Sequence, residues 1–292
     1  MHRSIIGMIE NGIFGIPYVG ADICGFTSET NEELCTRWQQ VGAFYPFSRN
    51  HNVKDTKDQD PAVFSQYMID STKAALTVRY TLLPYYYTLF FKAHLTGSLV
   101  VKGLFQEFPF DKNCRTIDRQ YLVGPAFLVS PVLEPGKSKV DVYFPAESRW
   151  FSYYDGAEAN TGYATLNAPL NFINLHVRGG HILPTQKPAN NTSFSRKNPF
   201  GLIVALDQNG QADGELFHDD GDSIDSIEKS RYFLAKFSYV GNKLKMIINK
   251  NGSAELAQNR LYLDTVRVFG FDTSRASQVI SKIVDYEAIT IF

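Results

Sequence analysis

The hydrophobic pattern of the chain changes near residue 100, and this change limits what the sequence can fold into. Before residue 100, apolar side chains recur at helical spacing in Ser4–Phe14, Glu32–Ala43 and Asp60–Thr96. Two short apolar runs, Tyr18–Ala21 and Phe44–Phe47, lie between these segments, and a polar loop follows each run. Short buried strands that alternate with helices are typical of parallel α/β folds.

After residue 100 the sequence is rich in β-branched and aromatic runs, separated by Gly, Pro and Asp, which indicates a β region. The polar segment Lys187–Asn198 divides these runs into two sets. We therefore predict two β-sandwiches in series, a proximal one at 100–188 and a distal one at 189–292. The predicted strands are Tyr121–Val132, Val140–Phe144, Trp150–Tyr154, Ile173–Ile182, Leu202–Leu206, Glu215–His218, Tyr232–Tyr239, Lys243–Ile248 and Thr265–Gly270.

Residues 1–99 contain too few strands for a complete α/β domain. A (β/α)₈ barrel needs eight parallel strands, whereas this region offers only the two apolar runs. We therefore expect residues 1–99 to form the C-terminal part of such a barrel. The predicted fold class is thus α/β plus all-β, with part of a TIM barrel followed by the two β-sandwiches.

The charge balance excludes one large class of function. The 292 residues include 29 Lys and Arg against 30 Asp and Glu, so the net charge is −1 and no basic excess is available for nucleic-acid phosphates. No apolar stretch approaches the length of a membrane span, and we expect no membrane contact from this chain. Aromatic residues make up 14%, which favours either a β-rich core or a surface on which sugars stack.

Polar side chains follow both predicted barrel strands. Asp22 and Phe26 come after the first strand, and Arg49 and His51 come after the second. Active sites of such barrels lie at the C-terminal ends of the strands. Charged groups and an imidazole can hydrogen-bond sugar hydroxyls, while an aromatic ring packs on the apolar face of a pyranose. The alternative is a structural salt bridge between Asp22 and Arg49, with His51 capping a helix.

The sequence around these residues resembles glycoside hydrolase family 31, in the branch that contains maltase-glucoamylase, sucrase-isomaltase and acid α-glucosidase. The resemblance covers nearly the whole chain and fades after about residue 240. It is carried by Gly20–Phe26, Glu33–Trp38, Gly42–Asn52, Arg79–Tyr85, Gly124–Val132, Ile173–Gly180 and Asp219–Gly221.

This resemblance implies a retaining, exo-acting α-glucosidase for substrates such as maltose, starch or glycogen fragments, without a cofactor or metal. Asp22, Phe26, Arg49 and His51 correspond to positions that line the family's −1 glucose subsite. His51 corresponds to a direct ligand of a sugar hydroxyl, while Asp22 and Arg49 correspond to a charged layer that supports it.

The catalytic carboxylates are missing from the sequence. Retaining glycosidases need a nucleophile and an acid/base, which this family carries in Trp-x-Asp-Met-Asn-Glu and Gly-Asp-Asn-Thr motifs. Neither motif occurs here, so we expect the chain to be the C-terminal portion of an α-glucosidase and to be inactive alone. The alternative is a non-catalytic carbohydrate-binding or partner-binding β protein with a barrel remnant.

The resemblance also implies a disulfide between Cys24 and Cys35, although two buried thiols are an alternative, and it leaves Cys114 free. Sequons for N-glycosylation begin at Asn190, Asn191 and Asn251. These features favour a secretory compartment, either extracellular, membrane-anchored or lysosomal, with the targeting signal expected upstream of this sequence.

Overall fold

The structure is a computed structural model that describes residues 1–253, 262–271 and 289–290. Its helices are α1 His2–Ile13, α2 Glu32–Gly42, α3 Gln66–Thr81, α4 Leu83–Thr96, α5 Leu104–Glu107 and α6 Thr192–Ser195, with 3₁₀ turns at Pro61–Val63 and Asn113–Thr116. Its strands are β1 Val101–Lys102, β2 Tyr121–Val123, β3 Phe127–Ser130, β4 Lys139–Phe144, β5 Trp150–Ser152, β6 Glu158–Ala159, β7 Gly162–Asn167, β8 Asn174–Arg178, β9 His181–Gln186, β10 Phe200–Ala205, β11 Ala212–His218, β12 Phe233–Val240, β13 Lys243–Asn251, β14 Leu263–Phe269 and β15 Ile289–Thr290.

The chain divides into two compact units whose segments alternate along the sequence. The first unit consists of Met1–Arg79, Ala93–Glu147 and Asn160–His176. The second consists of Tyr80–Lys92, Ser148–Ala159 and the described part of Val177–Phe292. The boundaries 1–99, 100–188 and 189–292 remain predictions, and part of the last range lies outside the described residues.

Local chemistry marks where helices α2 and α4 begin. The side chain of Asn31 accepts a hydrogen bond from the Leu34 amide at the start of α2, and this cap satisfies an otherwise unpaired donor. The predicted helix Asp60–Thr96 is divided into a 3₁₀ turn, α3 and α4. Pro84 lies in the first turn of α4, where its missing N–H costs nothing, and so it marks the start of a separate helix.

The two predicted barrel strands form no regular ladder, although they run side by side. The amide of Phe47 donates to the Val19 carbonyl at 3.1 Å and the amide of Ile23 to the Arg49 carbonyl at 3.0 Å. One parallel bridge joins Ile23 to Asn50.

Gly20 lets these two segments approach each other. A Cβ at this position would lie 1.8 Å from the Phe47 carbonyl oxygen, well inside van der Waals contact. The small residue is thus required by the close backbone contact.

The first unit also contains short antiparallel strands. Strands β1, β2 and β3 are adjacent in one sheet, and β8 follows β3. The predicted strand Tyr121–Val132 is in fact β2 and β3, separated at Gly124, whose φ of +59° favours glycine. Strands β4 and β7 form a separate two-stranded ribbon.

In the described part of the second unit, seven strands form one sheet with the order β14-β10-β9-β11-β12-β13-β15. Pairs β10–β14 and β9–β11 are parallel, and the other pairs are antiparallel. The predicted strand Ile173–Ile182 is divided into β8 and β9 by a turn at Gly180, which has a φ of +90°. Phe91 of α4 stacks on Phe217 of β11 at a centroid distance of 4.1 Å.

A buried guanidinium fastens α2 to later parts of the first unit. Arg37 is 2% exposed and donates to the carbonyl oxygens of Lys137 and Ala168, both at 2.9 Å. It also donates to the carbonyls of Pro169 at 3.2 Å and Phe172 at 3.3 Å. Burial lowers its pKa from the usual value, but a guanidinium stays charged and needs these acceptors.

We expect Arg37→Met to lower the free energy of unfolding by about 2–4 kcal/mol, because it leaves buried carbonyls without donors. Arg3→Met is the matched control, since Arg3 is exposed on α1, and its effect should stay within about 0.5 kcal/mol. Urea unfolding of the purified variants measures both. Equal stabilities of the two variants would contradict the conclusion that Arg37 fastens α2 to later parts of the first unit.

Candidate functional site

Asp22 and Arg49 meet at the ends of the two parallel segments. A guanidinium nitrogen of Arg49 donates to Oδ1 of Asp22, and the exposed fractions of the two side chains are 48% for Arg49 and 21% for Asp22. The guanidinium of Arg49 also lies 5.1 Å from the ring centroid of Phe47. The structure thus contains the ion pair that both interpretations of the sequence share.

Phe26 and His51, from the same two loops, form a second pair. Their rings stack at a centroid distance of 5.4 Å with planes 25° apart. The amide of Val53 donates to the Phe26 carbonyl at 2.8 Å, which links the loops beside the stack. Phe26 is 44% exposed and His51 is exposed, so both rings are accessible to a ligand.

Gln59 joins the two loops, and sequence reasoning did not identify it. Its amide nitrogen lies within hydrogen-bond distance of the carbonyl oxygens of Ile23 (3.1 Å), Gly25 (3.3 Å) and His51 (2.9 Å). It is also 2.9 Å from Oδ1 of Asn50. Gln59 is 5% exposed. A glutamine in a polar stretch carries no spacing signal, so only the structure could reveal this role.

A disulfide between Cys24 and Cys35 confirms the predicted pairing, and the alternative of two buried thiols is wrong. Cys24 has a φ of +74°, an uncommon conformation for a residue with a side chain. The bond attaches the loop after Asp22 to helix α2, which carries Cys35. Cys114 is buried and free, as predicted.

Arg79 of α3 fixes the segment that leads to Arg49. It donates to the carbonyl oxygens of Ala43 at 2.7 Å and Tyr45 at 2.6 Å, and to that of Pro46 at 3.0 Å. Because these carbonyls are satisfied by a side chain, the segment keeps a defined course without a full β-ladder.

Other candidate positions lie away from these loops. Asn190, Asn191 and Asn251 are all exposed, and the side chain of Asn191 caps α6. Among the described residues, no group of His, Cys, Asp and Glu side chains is arranged to hold a metal ion. No described helix is long and apolar enough to cross a membrane.

Residues 1–89 match the model of the glycosyl hydrolases family 31 TIM-barrel domain, and residues 97–183 match that of the glycosyl hydrolase family 31 C-terminal domain. The chain belongs to glycosyl hydrolase family 31. The chain therefore consists of part of a TIM-barrel domain followed by a sheet-rich C-terminal region.

Family 31 relatives share high identity over most of this chain. The human probable maltase-glucoamylase 2 is 51% identical over 93% of the chain and 11% of the relative. The lysosomal alpha-glucosidase of Mus musculus is 43% identical over 95% of the chain and 31% of the relative. A crystal structure of the glucosidase II alpha subunit superposes with a TM-score of 0.89, at 32% identity, over 94% of this chain and 31% of that chain. The chain thus spans less than a third of each of these three proteins.

We expect Gln59→Leu to loosen both loops, because leucine has a similar volume but no donors. The amides of Ile23 and Val53 should then exchange with deuterium at least about tenfold faster. Gln66→Leu is the control, since Gln66 is exposed and its side chain donates to Asp70 within α3. Residue-resolved hydrogen exchange measures the rates, and unchanged protection of both amides in Gln59→Leu would contradict the assigned role.

Proposed function

We propose that this chain is the C-terminal portion of a retaining, exo-acting α-glucosidase. In this proposal Asp22, Phe26, Arg49 and His51 form part of the −1 glucose subsite, and the nucleophile and acid/base are supplied by sequence upstream. The substrate is an α-glucoside such as maltose or a fragment of starch or glycogen.

The observation that carries the proposal is the junction of the two loops. Each loop contributes one member to the Asp22–Arg49 ion pair and one ring to the exposed Phe26–His51 stack. Both loops follow parallel segments of a TIM-barrel sequence. Such segments carry active sites at their C-terminal ends. His51, with an exposed imidazole, is suited to hydrogen-bond a sugar hydroxyl, while Arg49 is held by Asp22 and lies over Phe47.

We further propose that residues 1–99 complete a (β/α)₈ barrel begun upstream, and that 100–188 and 189–292 form the proximal and distal β-sandwiches. The protein would enter the secretory pathway, which the names of its lysosomal and intestinal relatives support. Glycans would then occupy the exposed Asn190 or Asn191 and Asn251.

A second candidate function is a non-catalytic carbohydrate-binding or partner-binding protein. It is favoured by the absence of both carboxylate motifs from the sequence. A transcript that extends upstream through both motifs would support the glucosidase, and a transcript that starts at Met1 would support the binding protein.

We expect the 292-residue chain alone to release no glucose from maltose. No residue in it corresponds to the nucleophile or the acid/base, and retaining hydrolysis requires both. A coupled glucose assay on the purified chain measures this, with a mock purification as the background. Glucose release above that background would contradict the assignment of catalysis to upstream sequence.

In the enzyme expressed from the extended transcript, we expect His51→Ala and Asp22→Asn each to lower kcat/KM by about 10–1000-fold, or about 1.5–4 kcal/mol. His51 would lose a bond that tightens in the transition state, whereas Asp22→Asn would weaken the hold on Arg49. His94→Ala is the matched control, because His94 is exposed on α4. A lowered melting temperature with normal kcat/KM would show a purely structural role for either residue.

A further inference from the structure

The ribbon of β4 and β7 has one polar and aromatic face. Register pairs Lys139 with Asn167, Asp141 with Thr165, and Tyr143 with Tyr163. Because alternate residues of a strand point to the same side, these three directly opposite pairs share one face. The other face carries the more buried residues Val142 and Phe144.

An exposed aromatic ring lies at one end of this face. Tyr163 is 69% exposed, and its ring packs on that of Tyr143 with centroids 4.7 Å apart. The hydroxyl of Tyr143 donates to Asp111 at 2.6 Å and accepts from the side-chain amide of Asn113 at 3.0 Å. Burial, with the hydrogen bond to Asp111, raises the pKa of Tyr143 to about 12. Tyr143 is thus a fixed, neutral support for the Tyr163 ring.

A cavity of about 410 Å³ adjoins the same face. Its polar lining comes from the ribbon and from the loops before it: Arg119, Glu134, Lys137, Lys139, Asp141 and Thr165. This volume lies in the range of small-molecule pockets. The loop at Lys137 is held by Arg37, which donates to its carbonyl, so this wall of the cavity is anchored to α2.

The lining favours a neutral polyhydroxyl ligand. Arg119 and Glu134 pair with each other at 2.8 Å, and Thr165 donates to Asp141 at 2.6 Å. Lys139 adds a donor next to these acceptors. Carboxylates that face the same space as the cations disfavour a phosphate or sulfate. Mixed donors and acceptors beside an exposed ring are instead what the hydroxyls and apolar face of a sugar require.

We propose that Tyr163, Asp141, Thr165 and Lys139 form a second carbohydrate-binding site, which takes a linear, neutral α-glucan; the choice of an α-glucan rests on the proposed function. It shares no residue with the loops around Asp22 and needs no catalysis. Tyr163 stacks on one glucose ring, and the cavity receives the hydroxyls of the next. The site would hold a polymeric substrate on the β-region of the protein.

A titration tests this site: maltoheptaose is added to the 292-residue chain, and binding is measured by isothermal calorimetry or ligand-observed NMR. We expect weak binding, with a Kd of about 1 mM. Tyr163→Ala and Asp141→Ala should each weaken binding at least about fivefold, whereas Tyr163→Trp, which keeps a stacking ring, should stay within about twofold. Circular dichroism melts confirm that each variant is folded.

Two control variants show whether binding is confined to the ribbon. Phe194→Ala removes another exposed ring, 60% accessible and outside the ribbon, and should leave binding unchanged. His51→Ala removes a ring of the proposed −1 subsite, and the loss of binding caused by Tyr163→Ala should persist in the His51→Ala background. The glucosidase proposal is read from enzyme activity, so its failure does not affect this assay. Three results would overturn the proposal: no binding of maltoheptaose, loss of binding in His51→Ala but not in Tyr163→Ala, or tighter binding of dextran sulfate than of maltoheptaose.

Discussion

The structure of the first unit depends on the buried guanidinium of Arg37. Its carbonyl acceptors lie about 100 residues or more further along the chain, so one side chain joins a helix of the barrel sequence to the β region. The same helix carries Cys35, whose disulfide holds Cys24, two residues after Asp22. A buried cation without its acceptors would be costly, and the position of the candidate site is therefore coupled to the packing of α2.

The candidate site is shaped mainly by groups that would not touch a sugar. The Asp22–Arg49 pair is partly exposed, and such pairs contribute little stability of their own. Side-chain donors fix the backbone of the loops instead. Gln59 binds carbonyls of both loops, and Arg79 binds those of the segment before Arg49. Fixing the backbone leaves the exposed rings accessible while limiting the entropy lost when a ligand binds.

Sequence reasoning succeeded where a single physical signal was sufficient. Periodicity predicted α2, and alternation with turn residues predicted β12 and β13, each within a few residues. The predicted strand boundaries were wrong where a glycine turn interrupts an apolar run, as at Gly124 and Gly180. The residues on both sides of such a turn are apolar, so the hydrophobic pattern does not show where one strand ends and the next begins. The adjacency of the Asp22 and Arg49 loops followed from strand order, and the disulfide from family resemblance. The role of Gln59 could not be predicted, since it arises only from tertiary contacts.

The high aromatic content is compatible with two uses of the rings, and the structure contains rings suited to each. Many large rings are fully buried, among them Trp150, Phe127 and Phe233, which is the ordinary β-core use. Phe26 and Tyr163 are instead 44% and 69% exposed, yet each packs against a second ring, His51 or Tyr143. A ring supported from behind loses little freedom when a ligand covers its other face. Tyr18 shares this combination, since it is 63% exposed and packs on Phe47. A supported, exposed ring therefore becomes a candidate sugar platform only where hydrogen-bonding side chains lie beside it, as they do at Phe26 and Tyr163.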